Sequence, residues 1–260
     1  MIKRLHKIGI KCALMKIKHV FFLDADSKMI IARHGAYDYL KKYANVVYDN
    51  QIKEWIPQPA RKVIWTCWLQ GVDEAPLIVR KCISSMQQYA NGYDVIIIDA
   101  NNVTQYIELP EYIHEKFRRG IIPPAHYSDV IRLALLNRYG GIWIDSTILL
   151  TDKLPDYIVN ADLFVFRNPQ VEGHGQISNP FFAAKPSHPI IESVYRLLLA
   201  YWENENKLVS YEIMHLFFSI AVENSKTNEH MWKKVPLVYG SHMYYLLRML
   251  GLILMSKHIN

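Results

Sequence analysis

The sequence predicts an α/β domain built on a mainly parallel sheet flanked by helices, and three observations carry that reading. Strand-like and helix-like stretches alternate from about residue 62 onward. One of the strand-like runs, Asp94-Val95-Ile96-Ile97-Ile98-Asp99, is continuously apolar between its two acids, the pattern of a strand buried on both faces of a parallel sheet. Glycine and proline pairs, Gly140-Gly141 and Pro123-Pro124, stand where such a chain has to turn. The 260 residues, 51% hydrophobic and 21% charged, supply one large core and exclude a disordered or low-complexity chain.

Taken in order, residues 1 to about 20 read as a basic amphipathic helix. On a helical wheel Lys3, Arg4, Lys7, Lys11 and Lys18 gather opposite Ile2, Leu5, Ile8, Cys12, Ala13 and Val20. A second helix near Ala36 to Tyr43 leads into a polar linker ending in Pro57 and Pro59, so the chain divides into a helical extension, 1–60, and a main domain, 61–260. Val63 to Trp68 is β-branched and aromatic, a strand closed by Gly71, and Ala75 to Tyr89 has helical apolar spacing at Ile78, Val79, Cys82, Ile83 and Met86. Asp94 to Asp99 is the next strand, with a turn and cap at Asn101-Asn102. Tyr112 to Arg119 is a short helix, and Ala125 to Tyr139 a longer one that Gly140-Gly141 ends. Strands follow at Ile142 to Asp145 and Asp162 to Phe166, then a polar loop, Asn168 to Asn179. Helices at Ile190 to Glu203, Tyr211 to Val222 and Tyr244 to Leu254 complete the chain, with Met214, Met243 and Met249 as core residues.

Charge narrows the function. Net charge is +6, and Lys3, Arg4, Lys7, Lys11, Lys16 and Lys18 all precede the first acid, Asp24. The rest carries 24 charges of each sign, which is not the surface of a nucleic-acid binder. No stretch reaches the ~18 apolar residues of a spanning helix. The N-terminus has neither a clean apolar segment nor a small-residue cleavage site, so the expectation is a cytoplasmic protein whose basic helix contacts the inner face of an anionic membrane. Cys12, Cys67 and Cys82 are odd in number and lack C-x-x-C spacing, which suits buried free thiols.

There is no G-x-G-x-x-G turn and no G-x-x-x-x-G-K-[ST] loop, so any phosphate must be held in another way. Asp99 and Asp145 stand at the carboxyl ends of predicted strands, where open α/β sheets take their ligands. Asp129 and Arg132, three apart on a helix, face the same way. Alone they would be a surface ion pair. Near a Gly-Gly turn and a strand ending in Asp145, an acid and a guanidinium can together hold a sugar hydroxyl and a charged group. His188 and His242, each a lone histidine, read as structural donors rather than as metal or phosphate partners.

Ser128-Asp129 with Arg132, followed by Gly140-Gly141-Ile142-Trp143-Ile144-Asp145-Ser146-Thr147, resembles the S-D-x-x-R…G-G-x-Y/W-x-D-x-D pattern of glycosyltransferase family 32 and of the large clostridial glucosylating toxins. The capsular polysaccharide synthesis branch is the most similar part of that family. Val63 to Gly71 is similar to its opening strand and Asn179 to Pro189 to its later N-x-(apolar)…H-P segment, so the resemblance covers Arg61 to Pro189. It implies a GT-A type, Rossmann-like fold that moves a hexosyl unit from a nucleotide sugar, a UDP-sugar, to a saccharide or lipid-linked saccharide in capsule or surface polysaccharide synthesis, with retention. In that scheme Asp129, Arg132 and Asp145 are catalytic. Trp68, with Trp65 as its substitute, stacks on the base, and Asp99 and Gly141 complete the donor site. Asp145 and Thr147 hold Mn²⁺ or Mg²⁺. Thr147 stands where the family has a second Asp, which predicts weaker metal binding. Two other readings are a sugar nucleotidyltransferase, which would need a glycine- and lysine-rich loop that Trp68-Leu69-Gln70-Gly71 is not, and a non-catalytic sugar-nucleotide-binding module, suggested by Thr147.

Overall fold

The computed structural model describes residues 25–47, 55–167 and 177–240. It is a mixed α/β fold around a five-stranded sheet of order β2-β1-β3-β5-β4. β1 (Val63–Cys67) is buried along its whole length, as its β-branched and aromatic run requires. It pairs in parallel with β2 (Asp94–Ile98) and with β3 (Gly141–Ile144). β5 (Ile177–Ala184) runs antiparallel to both β3 and β4 (Leu163–Arg167). Every strand but β5 therefore points the same way.

Helices cover the sheet. α2 (Leu77–Gln88) buries Val79, Cys82, Ile83 and Met86 of the predicted apolar line but leaves Ile78 exposed. The short α3 (Val103–Tyr106) and α4 (Glu111–Arg118) lead to α5 (Pro124–Tyr139), which opens with proline in the first turn and ends at Gly140. α6 (Asp156–Val159) precedes β4. α7 (Pro189–Asn204), α8 (Ile213–Glu223) and α9 (Lys226–Trp232) form the rest of the helical layer. α5 buries every residue from His126 to Leu136 except Ser128, the charged Asp129 and Arg132 included. It lies between the sheet and α7, and its polar N-terminal half is therefore as enclosed as its apolar C-terminal half.

Several expectations need correction. β2 is not buried on both faces. It forms the edge of the described sheet and is half-buried from Val95 to Ile97, because only β1 pairs with it. The loop expected up to Asn179 gives way to β5 at Ile177, whose β-branched and aromatic residues pair with two strands. α9 was not anticipated. The described part of the extension expected over residues 1–60 packs on the main domain. α1 (Ala25–Leu40) and the 3₁₀ turn Lys41–Val46 place Ala36, Tyr37, Leu40 and Tyr43 in the same buried cluster as Trp65, Leu197 and Phe217. Polar bonds seal that docking: Arg33 pairs with Glu212, and Tyr39, Lys42 and Tyr43 converge on Glu205.

Cys67 and Cys82 are buried free thiols, and Met214 is a core residue. The helix expected at 1–20 with its membrane contact, the helix at Tyr244 to Leu254, and Cys12, His242, Met243 and Met249 lie outside the described residues. Among the described residues no helix is long and apolar enough to cross a membrane.

The Gly-Gly turn is set by packing. Gly141 has φ +96°, and a Cβ there would lie 2.7 Å from Val63 Cγ1 and 2.8 Å from the Val63 carbonyl oxygen. Both the backbone angle and the adjoining strand exclude a side chain. Gly141→Ala is expected to destabilise the protein by ~1–3 kcal/mol, the usual cost of overpacking, and to lower the urea midpoint at unchanged slope. An unaltered midpoint would mean that β1 and β3 can move apart.

Candidate functional site

A cavity of about 320 Å³ opens at the carboxyl ends of β1 and β3. Its walls come from five places in the chain. The end of β1 and the turn after it bring Cys67 to Gln70, the first turns of α5 bring His126, Ser128, Asp129 and Arg132, the turn after β3 brings Asp145, Ser146 and Thr147, and Asn179 of β5 and Tyr211 complete the lining. β2 and β3 flank β1 on opposite sides, so the chains leaving the carboxyl ends of β1 and β3 diverge and leave a crevice between them.

Arg132 is the hub. Its Nη2 lies 2.8 Å from Asp145 Oδ1 and 3.3 Å from Asp129 Oδ1, and its Nη1 donates to the Asn179 carbonyl. The guanidinium carbon sits 4.8 Å from the centre of the Trp143 ring. Trp143 Nε1 donates to the same Asp145 oxygen at 2.6 Å. Arg132 and Asp129 are 3% and 6% exposed, so the surface ion pair that spacing alone would allow is not what forms. Asp145 keeps 30% of its side chain accessible at the cleft floor. Loss of hydration raises its pKa, against the pull of Arg132 and of the Trp143 N–H, while the negative Asp129 adds to the rise.

Trp68 lines the cavity and packs, partly buried, against Ala75, Val79 and Ile83. Trp65 cannot substitute for it. It is fully buried, its Nε1 bonds the Gly140 carbonyl at 3.0 Å, and Tyr106 and Tyr139 pack against its ring. Asp99 is not brought into the cavity; its Oδ1 accepts from the backbone N–H groups of Asn101 and Asn102 at 2.8 and 2.9 Å, while its own N–H donates to Asn102 Oδ1. Gly141 lies at the opposite end of β3 from Asp145, against Val63. Ser146 is buried and Thr147 is exposed at the rim. Among the described residues no three His, Cys, Asp or Glu side chains converge on one point.

His188 is remote from this cavity and structural. At 1% exposure it caps α7, Nδ1 accepting from the Ile190 N–H, and burial lowers its pKa to about 4. Cys67 borders the cavity, but burial pushes its thiol up to about 12 despite a hydrogen bond with Ser128, so it stays protonated and is no nucleophile.

Three contributors escaped sequence reasoning. His126 is 2% exposed, its Nδ1 is 3.5 Å from Asp129 Oδ2, and neither ring nitrogen has a hydrogen-bond partner. The spacing that singled out Asp129 and Arg132 also joins His126 to Asp129, so a signal existed. Asn179 enters through a backbone carbonyl, which no side-chain pattern reveals. Tyr211 arrives from the turn before α8, and no local pattern could have announced it.

The geometry thus defines an α/β protein with a polar, carboxylate-bearing cleft at the carboxyl edge of its sheet. The chain belongs to the capsular polysaccharide synthesis protein family, whose model matches residues 19–254. It is similar to O-glycosyltransferase braB of Annulohypoxylon truncatum, 27% identical over 60% of this chain and 42% of that protein. It is also similar to glycosyltransferase afumC of Aspergillus fumigatus, 23% identical over 78% of this chain and 56% of that protein. The chain spans about half the length of these relatives. The PaToxG glycosyltransferase structure aligns with 76% of this chain and 79% of its own at 18% identity, with a TM-score of 0.47.

Proposed function

We propose that the protein is a GT-A type hexosyltransferase that takes its sugar from a UDP-sugar and passes it, with retention, to a saccharide acceptor in surface polysaccharide synthesis. The observation that carries this is the buried Asp129–Arg132–Asp145 network opening onto the cleft. Buried ion pairs gain little over apolar packing, so a network of this kind beside a cavity points to ligand chemistry. Family membership and the named glycosyltransferase relatives support the same reading.

Trp68 carries the base. Asp129 and Arg132 orient the donor sugar, fixed by Asn179 and by the Trp143 ring. Asp145, with Ser146 and Thr147, offers oxygen ligands suited to Mn²⁺ or Mg²⁺. Both polar bonds found for its carboxylate fall on Oδ1, and only one carboxylate is present at this turn, so diphosphate oxygens must complete the set. When bound, such a cation neutralises charge on the leaving diphosphate.

The test is purified protein against a panel of UDP- and GDP-sugars with Mn²⁺, following release of the nucleotide; no release and no calorimetric UDP binding would refute the reading. Within it, Trp68→Ala is expected to weaken UDP binding at least about fivefold, since ring stacking adds ~0.5–1.5 kcal/mol beyond buried area. The loss of affinity should exceed the loss of stability, because the ring only partly packs on the Ala75, Val79 and Ile83 cluster. A core tryptophan would instead cost ~3–5 kcal/mol of stability at unchanged affinity.

A further inference from the structure

The donor assignment leaves two residues of the cavity wall, Tyr211 and His126, without a role. Tyr211 is 72% exposed, an unusual state for an aromatic ring beside a buried ion network. The turn that carries it is firmly held. The Tyr201 hydroxyl donates to the Lys207 carbonyl and accepts from the Val209 N–H, the Glu212 N–H donates to Ser210 Oγ, and Arg33 grips the Glu212 carboxylate. An exposed ring on a fixed turn is a prepared surface, because little conformational freedom remains to be lost on binding.

Beside it lies His126, its ring 5.4 Å from that of Tyr211 and nearly perpendicular to it. A 2%-exposed imidazole with both nitrogens unpartnered is costly unless a ligand or water completes it. Asp129 Oδ2, at 3.5 Å from Nδ1, favours the tautomer with the proton there and leaves Nε2 as an acceptor. The site thus joins an aromatic face to an acceptor waiting for a hydroxyl. A pyranose ring has both complements, a patch of C–H groups on one face and hydroxyls at its edge.

We propose that Tyr211 and His126 form the acceptor subsite. Tyr211 carries the C–H face of a pyranose, and His126 bonds one of its hydroxyls. That this sugar is the acceptor rests on the donor reading, in which Trp68 and Asp145 take the nucleotide.

The test is saturation-transfer NMR of methyl β-glucopyranoside, methyl β-galactopyranoside and methyl α-rhamnopyranoside with the full chain and excess UDP, together with calorimetry of UDP alone. At least one glycoside should bind wild type and Tyr211→Phe alike and lose at least about fivefold in Tyr211→Ala. It should also be lost in His126→Leu, with the melting temperature of the variant measured alongside so that loss of fold is not read as loss of binding. UDP affinity should hold within about twofold throughout. Binding of none of the three glycosides to wild type, equal binding by Tyr211→Ala, binding of phenol in their place, or a parallel fall in UDP affinity would overturn the subsite. If a glycoside binds through Tyr211 but UDP does not bind at all, the saccharide subsite stands and the donor reading fails.

Discussion

Arg132→Ala is expected to abolish sugar transfer and also to unfold the protein at markedly lower urea. Its guanidinium is the counter-charge of two carboxylates, Asp129 and Asp145, with side-chain exposures of 8% and 30%. Removing it leaves like charges facing each other in a poorly hydrated wall, and breaking a buried pair in this way typically costs ~3–5 kcal/mol. An exposed i,i+3 pair would cost only ~0.2–1 kcal/mol. Asp145→Asn separates the two roles. The amide keeps the size of the carboxylate, and its oxygen still accepts from Arg132 and Trp143, so the midpoint should move little. Transfer should nevertheless fall by ~10²-fold or more, the usual loss when a preorganised electrostatic partner is removed. Mn²⁺ binding in the presence of UDP should vanish with it. Urea titrations and donor turnover measured side by side decide the matter. Full turnover in Asp145→Asn, or an unmoved midpoint in Arg132→Ala, contradicts this account.

Stability should drop steeply as pH falls from about 6.5 to about 4. Burial holds His188 and His215 neutral, each lowered from its ordinary 6.5 to about 4. Above 6.5 both states are neutral and neither residue contributes. Below it the unfolded chain binds protons that the folded protein refuses, so stability is lost at ~1.4 kcal/mol per pH unit for each histidine until the folded value is reached. Asp145, whose pKa is raised, works in the opposite sense by taking up its proton earlier in the folded protein. Around His215 the charges of Asp129 and Glu212 favour protonation, and those of Arg132 and Arg33 oppose it. His188→Asn retains an acceptor at the α7 cap and should remove about half of this slope. Urea midpoints at pH 7, 6, 5 and 4 measure it, and an identical pH profile in the variant would show that His188 does not titrate in this range.

What the sequence determined by itself was local. The β-branched run at Val63, the apolar line of α2 and the Gly140-Gly141 stop after α5 each depend on neighbours within a few residues, and each element formed within one to three residues of its expected ends. The common face of Asp129 and Arg132 and the place of Asp145 at a strand terminus follow from helix and strand periodicity alone. Pairing partners decided the rest. β2 became an edge and β5 a reversed strand because hydrogen-bonding neighbours are chosen across the sheet, beyond the reach of any local pattern. Trp65 and Trp68 are alike in composition. The first is sealed under Gly140 and two tyrosines, and the second, one step past the strand end, faces the cleft. Only the tertiary structure made an i,i+3 ion pair into a buried hub, since the groups that hold it, Trp143 of β3 and Asn179 of β5, come from other elements. Tyr211 and His126 meet for the same reason: burial and long-range contact belong to the packing of all elements at once, whereas periodicity belongs to one element at a time.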